Sequence, residues 1–467
     1  MLIGIIIFLI FFTILALSRL DFALFFLIAA LPAYLIRFSL FGIPSTVLEA
    51  MILITFVVWF FKDWLPHFKN LFKKKAEKIP YPFSWEIILL IVISFIATGI
   101  ASFNLGALGI WKAYFFEPIL VYILVINIYR DKKDWQKILW ALLISALSVS
   151  LMAIWQKITG HFIFNEFWAN EATRRVVSWF GYPNAVGLFL APLVLLFIGW
   201  FFSLPRLTTL NKAFKKILLI IVIVFSLLSV YYARSEGALI GIIVGLFVFG
   251  LFAGRKQRIV TLILTGIIIG GIFFSAPAKY FVITKLTLRD LSGQIRQRQW
   301  QETFQALTGT KIITGAGLNS YQGAVAPFHQ DGIFFNSDNL PNFDEQLRAS
   351  STLRAKYWQP VEIYLYPHNI FLNFWSELGL IGALIFVWLL LKSIFISLKL
   401  TITYARENQR EKYLALGLMC ALVVIIVHGL VDVPYFKNDL SVIFWIFLAL
   451  IGLLNLNQKF GSKNIRL

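Results

Sequence analysis

The chain has 467 residues, of which 59% are hydrophobic, 17% aromatic and 14% charged, with a mean hydropathy of +0.81. A water-soluble domain carries roughly 25% charged and 45–50% apolar residues, so this composition excludes a soluble particle and requires lipid as the covering solvent. The formal charge of +19 sits in loops between apolar runs and reads as topology rather than as a nucleic-acid surface, and the single cysteine, Cys420, excludes a disulfide framework.

A membrane-spanning helix needs about 20 mostly apolar residues. Windows of that kind fall near 2–18, 21–36, 46–61, 84–102, 109–129, 136–156 and 183–203, then near 216–233, 236–253, 259–275, 369–398, 413–431 and 440–456. The expected fold is therefore an all-α polytopic membrane protein, residues 1–467 as one membrane domain with about 12–13 transmembrane helices. The first window lacks a basic leader and a small-residue cleavage site, so it reads as a span rather than a cleaved signal peptide.

Lys and Arg collect in alternate loops. The basic segment 62–83 holds Lys62, Lys69, Lys73, Lys74, Lys75 and Lys78; next come Arg130, Lys132 and Lys133, then Arg206, Lys212, Lys215 and Lys216. Arg255, Lys256 and Arg258 follow, then Lys399, Arg406, Arg410 and Lys412, and finally Lys459, Lys463 and Arg466. The positive-inside bias puts all of these in the cytoplasm, where a grip on anionic membrane lipids is a secondary role. Two loops on the opposite side are long: a smaller one at 157–182 and a large one at 276–367. A span of the second size is far longer than a plain connection. Within it, Ser292 followed by Ile295, Trp300, Phe304 and Leu307 predicts a capped amphipathic helix lying on the outer leaflet.

Ionisable residues at the ends of spans are costly unless they face a polar cavity. Here they gather on one side. Lys112 and Glu117 lie at the outer end of the fifth span, Arg174 and Arg175 precede the seventh, and Arg234 and Glu236 occupy the turn between the eighth and ninth. Arg296 and Arg298 head the amphipathic helix, His368 opens the span after the large loop, and His428 and Asp432 close the next. The pattern predicts a shared extracytoplasmic site; the plainer reading is that each side chain snorkels to the interface. No Cys/His ligand cluster, outer Asp-x-Asp pair or Gly-rich phosphate loop is present, so neither a metal nor a cofactor is expected. Pro367-His368-Asn369, nine residues, then Gly379-Leu380-Ile381-Gly382 is the sharpest motif. Pro367 in a first helical turn puts His368 at a helix N-terminus, where the macrodipole favours neutral imidazole and a bound anion. A regular helix carries Gly379 about 16 Å beyond it, which leaves the glycines a packing role.

These residues resemble the O-antigen ligase and polymerase superfamily of bacterial membrane glycosyltransferases. His368-Asn369 with Gly379 and Gly382 is similar to that family's histidine motif, Ala233-Arg234-Ser235-Glu236-Gly237-Ala238 to its arginine turn, and Arg296 before Trp300 to its large-loop arginine. Arg175 with Ser178, Phe180 and Pro183-Asn184, and the stretch from His428 to Tyr435, also resemble it. Glu236 is a departure that would neutralise part of the arginine turn. The resemblance implies the GT-C type B architecture, a glycan donor carried on undecaprenyl diphosphate, a glycan or lipid acceptor, and a site on the outer face of the bacterial inner membrane. It implies that His368 is the base, that Arg234 and Arg296 hold the leaving diphosphate, and that Arg175, Asn369, His428 and Asp432 line the substrate; the outer-side pattern of ionisable residues adds Lys112 and Glu117 to that lining. A secondary transporter and a peptidoglycan polymerase of the related membrane type remain the alternatives.

Overall fold

The computed structural model describes residues 2–40, 42–72, 81–205, 210–407 and 409–460. Among them the protein is an all-α polytopic membrane protein. Nine helices are long and apolar enough to cross a membrane: Leu105–Ile128, Trp135–Thr159, Pro183–Ser203, Ala213–Tyr232, Glu236–Ala253, Arg255–Phe274, Ile370–Arg406, Glu411–Gly429 and Asn438–Lys459. Leu2–Ser18, Leu20–Ala29 and Ser84–Ile100 are shorter apolar helices, so these predicted windows are filled by helices of fewer than 20 residues. The 46–61 window is occupied by Val47–Trp59, which runs through a π-turn at Phe60–Trp64 into Leu65–Phe72.

The helices divide by burial. Pro183–Ser203, Glu411–Gly429 and Asn438–Phe460 form the centre, whereas Arg255–Phe274 has no buried residue and presents apolar side chains all round, as a lipid-facing helix does. Backbone contacts without a Cβ bring the central helices together: a Cβ on Gly199 would lie 2.6 Å from Gly417 Cα.

The basic loops meet at one end of this bundle. Arg410 donates to the Leu204 carbonyl, Lys412 to Ala253, Lys62 to Leu17, and Lys132 pairs with Glu411. Of the basic residues noted above, Lys73, Lys74, Lys75, Lys78, Arg206, Lys463 and Arg466 lie outside the described residues.

The large loop stands at the other end and is folded. It contains Ala276–Leu286, Leu291–Ala306, Phe343–Ala349 and Ser351–Tyr357, and a short antiparallel pair, Gly332–Phe334 with Trp358–Pro360. The predicted amphipathic helix is Leu291–Ala306. It starts earlier than the sequence suggested: Asp290, not Ser292, holds the cap position, and Ser292 Oγ instead accepts from Arg296. Its buried face carries Gln299, Glu302, Thr303 and Ala306, while Phe304 stays exposed.

The helix after this loop is not regular. It starts at Ile370, one residue after Asn369, whose side chain accepts from the Phe371 and Leu372 N–H groups. Pro367 and His368 therefore precede the helix rather than forming its first turn. At Gly379 the helix breaks, with φ +76, and a Cβ there would sit 1.9 Å from the Ile313 carbonyl oxygen. The segment after residue 310 presses into the break: Ala316 N–H donates to Ser376 O at 2.7 Å and Trp375 Nε1 to Ile312 O at 2.8 Å. The break anchors the loop to the bundle below His368.

Candidate active site

A cavity of about 380 Å³ opens at the loop-bearing end, walled by Arg175 and Asn184, the Arg234–Gly237 turn, Lys285 and Asp290, Ser292 and Arg296, and His428, Val431 and Asp432. Phe167 and Thr173 add the smaller loop to its wall. Gln156 pins that loop, taking Val177 and Ser178 N–H groups on its oxygen and donating to the Phe162 and Ser178 carbonyls.

Arg234 is the middle residue of the three between helices Leu210–Tyr232 and Glu236–Ala253, with φ +51, a left-handed conformation uncommon for any residue but glycine. Among the described residues no acceptor or carboxylate pairs with its guanidinium, although its carbonyl accepts from Arg175. The expected neutralisation by Glu236 takes another course: that carboxylate pairs with Lys285 at 2.7 Å, and Lys285 also reaches Asp290 at 2.9 Å. Arg296 is tethered from one side, its Nε to Val431 O at 2.9 Å and its Nη1 to Ser292 Oγ at 2.6 Å. Arg175 donates to Ala233 O at 3.0 Å and to Asn184 Oδ1 at 3.2 Å; burial and the charge of Arg234 lower its pKa. Three guanidiniums thus converge on one hollow, a number that calls for a multiply charged anion.

Asp432 forms the floor. Asn184 donates to Oδ2 at 3.1 Å and the Val433 N–H to Oδ1 at 2.9 Å. Burial pushes its carboxyl up, but His368, His428 and the Val433 N–H outweigh it and hold the group below the usual carboxylate range.

His368 stands beside Asp432, its Nδ1 3.5 Å from Asp432 Oδ1, an ion-pair distance rather than a strong hydrogen bond. It does not line the cavity itself. Its backbone takes φ +46, Tyr364 and Tyr366 pack edge-on against its ring at 5.1 and 5.3 Å, and Trp300 Nε1 holds the preceding Pro367 carbonyl at 2.9 Å. Asn369 serves as the helix cap and donates to Leu430 O, so both ends of its amide are engaged in structure. His428 is buried behind the arginine turn, where Gly237 permits the approach: a Cβ would lie 2.7 Å from the imidazole Cδ2.

Lys112 and Glu117 lie elsewhere. Lys112 pairs with Glu49, and Glu117, 1% exposed, has neither carboxylate oxygen hydrogen-bonded. Among the described residues no group of three His, Cys, Asp or Glu could hold a metal ion.

The arginine turn, the large-loop arginine and the histidine motif all fall within residues 221–387, and that segment matches the O-antigen ligase family. Over that segment the chain is similar to the O-antigen ligase family. No curated protein matches the sequence. The match supports membrane glycosyl transfer in general, a reaction for which the family implies a lipid-linked glycan donor and a glycan acceptor. The match spans Arg234, Arg296 and His368, whereas Arg175, Asn184, His428 and Asp432 reach the cavity of the two arginines from outside it. Sequence reasoning did not assign Lys285 and Asp290 to this cavity and took Asn184 only as a helix entry. The sole signal for the first two was their proximity to the predicted amphipathic helix; nothing local marks Asn184 as the partner of a residue 248 positions away.

Proposed function

We propose that the chain moves a glycan from undecaprenyl diphosphate to a hydroxyl acceptor at the outer face of the bacterial inner membrane, by inversion and without a metal. The observation that carries this reading is the convergence of Arg175, Arg234 and Arg296 on one cavity whose lysine is already paired with Glu236 and Asp290. A lipid diphosphate leaves with charge that guanidiniums stabilise through bidentate contacts in a site of low dielectric. Arg234, without a partner among the described residues, and the untethered edge of Arg296 make that contact in this reading.

Asp432 faces His368 Nδ1 at 3.5 Å and stabilises the imidazolium that forms when Nε2 takes the acceptor's hydroxyl proton. The acceptor oxygen then bonds to the anomeric carbon as the bond to diphosphate breaks on the opposite face. The outer location is supported by the basic loops, which meet at the end away from the cavity. Polymerase and ligase share this chemistry and differ in acceptor. One feature favours a transporter: Glu117 inside a span, without a partner among the described residues. A deletion strain separates these readings, because loss of finished surface glycan with intact lipid-linked precursor requires the transferase.

The direct test is transfer in vitro by purified protein from a lipid-linked oligosaccharide in the presence of a chelator. Turnover is expected to fall at least about 10²-fold in His368→Ala, Arg234→Ala and Arg296→Ala with folding retained. Full activity of His368→Ala removes the base, and a strict metal requirement removes the role given to the guanidiniums.

A further inference from the structure

The Leu291–Ala306 helix is a wall between two hollows. Residues two apart on a helix point to different sides, and while Arg296 meets the arginine cavity, Arg298 meets a second one of about 650 Å³ inside the large loop. That volume lies within the roughly 300–1,000 Å³ of small-molecule sites. Its floor is the paired strands Gly332–Phe334 and Trp358–Pro360, in which Phe334 stands opposite Trp358 with ring centroids 5.2 Å apart. Gly332 lets the indole lie flat, since a Cβ there would come within 2.4 Å of it. Trp358 remains 42% exposed, a large aromatic left open beside polar groups.

The wall is built rather than loose. Glu302, 3% exposed, accepts from Arg298 Nε at 3.1 Å and from the Gln330 N–H at 3.0 Å, and holds His329 Nδ1 at 3.2 Å. The other His329 nitrogen meets Val361 O at 3.1 Å, so helix, hairpin and connecting segment are locked together. Asp331 and Asp344 reach the hollow from its rim. A smaller hollow of about 260 Å³ shares Arg298 and continues along the helix past Gln294, Gln297 and Gln301.

We propose that this hollow is a glycan-binding cleft, holding sugar residues of a substrate chain whose reacting end lies in the arginine cavity on the other side of the helix. An exposed indole offers a flat apolar surface to the C–H face of a pyranose. Amides, carboxylates and a guanidinium pair with neighbouring hydroxyls, and the mixture of both charge signs suits a neutral polyol better than an anionic headgroup. The inference rests on the glycosyl-transfer reading. The sugars come from the distal part of the donor or from the acceptor, and both offer the same chemistry.

The test uses the purified full chain and, as probe, oligosaccharide released from the lipid-linked donor by mild acid, which lacks the diphosphate. Calorimetric titration is expected to show saturable binding, weakened about 10-fold by Trp358→Ala, restored by Trp358→Phe, and retained in Arg234→Ala. In the transfer assay Trp358→Ala raises the KM of the donor or of the acceptor, which identifies the source. If Trp358→Ala does not fold, Asp331→Asn and Asp344→Asn, both exposed, are expected to weaken binding on their own. Wild-type affinity in these variants, or no saturable binding by wild type, overturns the cleft. Binding without any transfer by wild type ends the glycosyl-transfer reading and leaves the cleft standing.

Discussion

Asp432 accepts from Asn184 and Val433 and faces His368, so replacing it with asparagine removes a charge and misaligns an amide while leaving the volume unchanged. Asp432→Asn is expected to lower kcat about 10²-fold with little change in KM for the donor. The carboxyl's folded pKa is depressed below its unfolded value. Its stabilising contribution is therefore complete above the ordinary carboxylate pKa, about 4, and is lost as pH falls through the folded value. Thermal unfolding in detergent is expected to show a gap between wild type and Asp432→Asn that is constant from neutral pH to about 5 and closes in stronger acid; a gap unchanged at the lowest pH contradicts this account. Asn369 illustrates a different use of a polar side chain. With its oxygen capping the helix and its nitrogen on Leu430, Asn369→Ala is expected to cost about 1 kcal/mol of stability. The loss should appear in melting temperature and kcat rather than in KM for the donor.

At the scale of elements, the apolar windows were legible because lipid imposes length and composition on every span. What happens inside a span was less so. Gly379 was expected to sit in a regular helix, since nothing in Gly379-Leu380-Ile381-Gly382 distinguishes a packing glycine from one at a break. The break is imposed by residues more than 60 positions upstream: the 310–316 segment puts the Ile313 carbonyl where a Cβ would be. The cap at Asp290 was missed for a simpler reason, because Ser292 offers an equally good capping side chain two residues on and only the fold decides between them. Glycines therefore differ sharply in expected tolerance. Gly379→Ala faces both a left-handed backbone and the Ile313 oxygen, and is expected to cost more than about 3 kcal/mol and to abolish a folded product. Gly266→Ala, on the lipid-facing helix with nothing within 4 Å, is expected to be neutral or to stabilise by up to about 1 kcal/mol. Comparing the two by size-exclusion profile and melting temperature checks both.

Across the whole molecule, the part of the chain before residue 221, outside the matched segment, supplies both a wall of the cavity and a foundation beneath it. Arg175 and Asn184 form the wall. The foundation is aromatic: Phe115 packs edge-on against Phe374 on the helix that follows His368, and Tyr435 Oη donates to Tyr114 O at 2.7 Å. Convergence of the arginine turn and the large-loop arginine was legible because each stands beside a membrane span or in the loop that follows one, where a cation is tolerated only beside water or a partner. By the same logic Lys112 and Glu117 looked like cavity residues; the partner of Lys112 is Glu49, 63 positions away in a helix whose single acid gave no sign of it. The pair is half-buried, with 30% of the lysine side chain and 8% of the glutamate exposed. Removing one partner strands the other, so Lys112→Met is expected to destabilise by about 2 kcal/mol, between the values for exposed and fully buried pairs. Glu49→Gln made together with Lys112→Met removes the stranded charge and is expected to recover most of that loss. The measurement is melting temperature in detergent for the two single variants and the double, alongside KM for the donor. A Lys112→Met protein with unchanged melting temperature and a raised KM would instead put the lysine on the substrate.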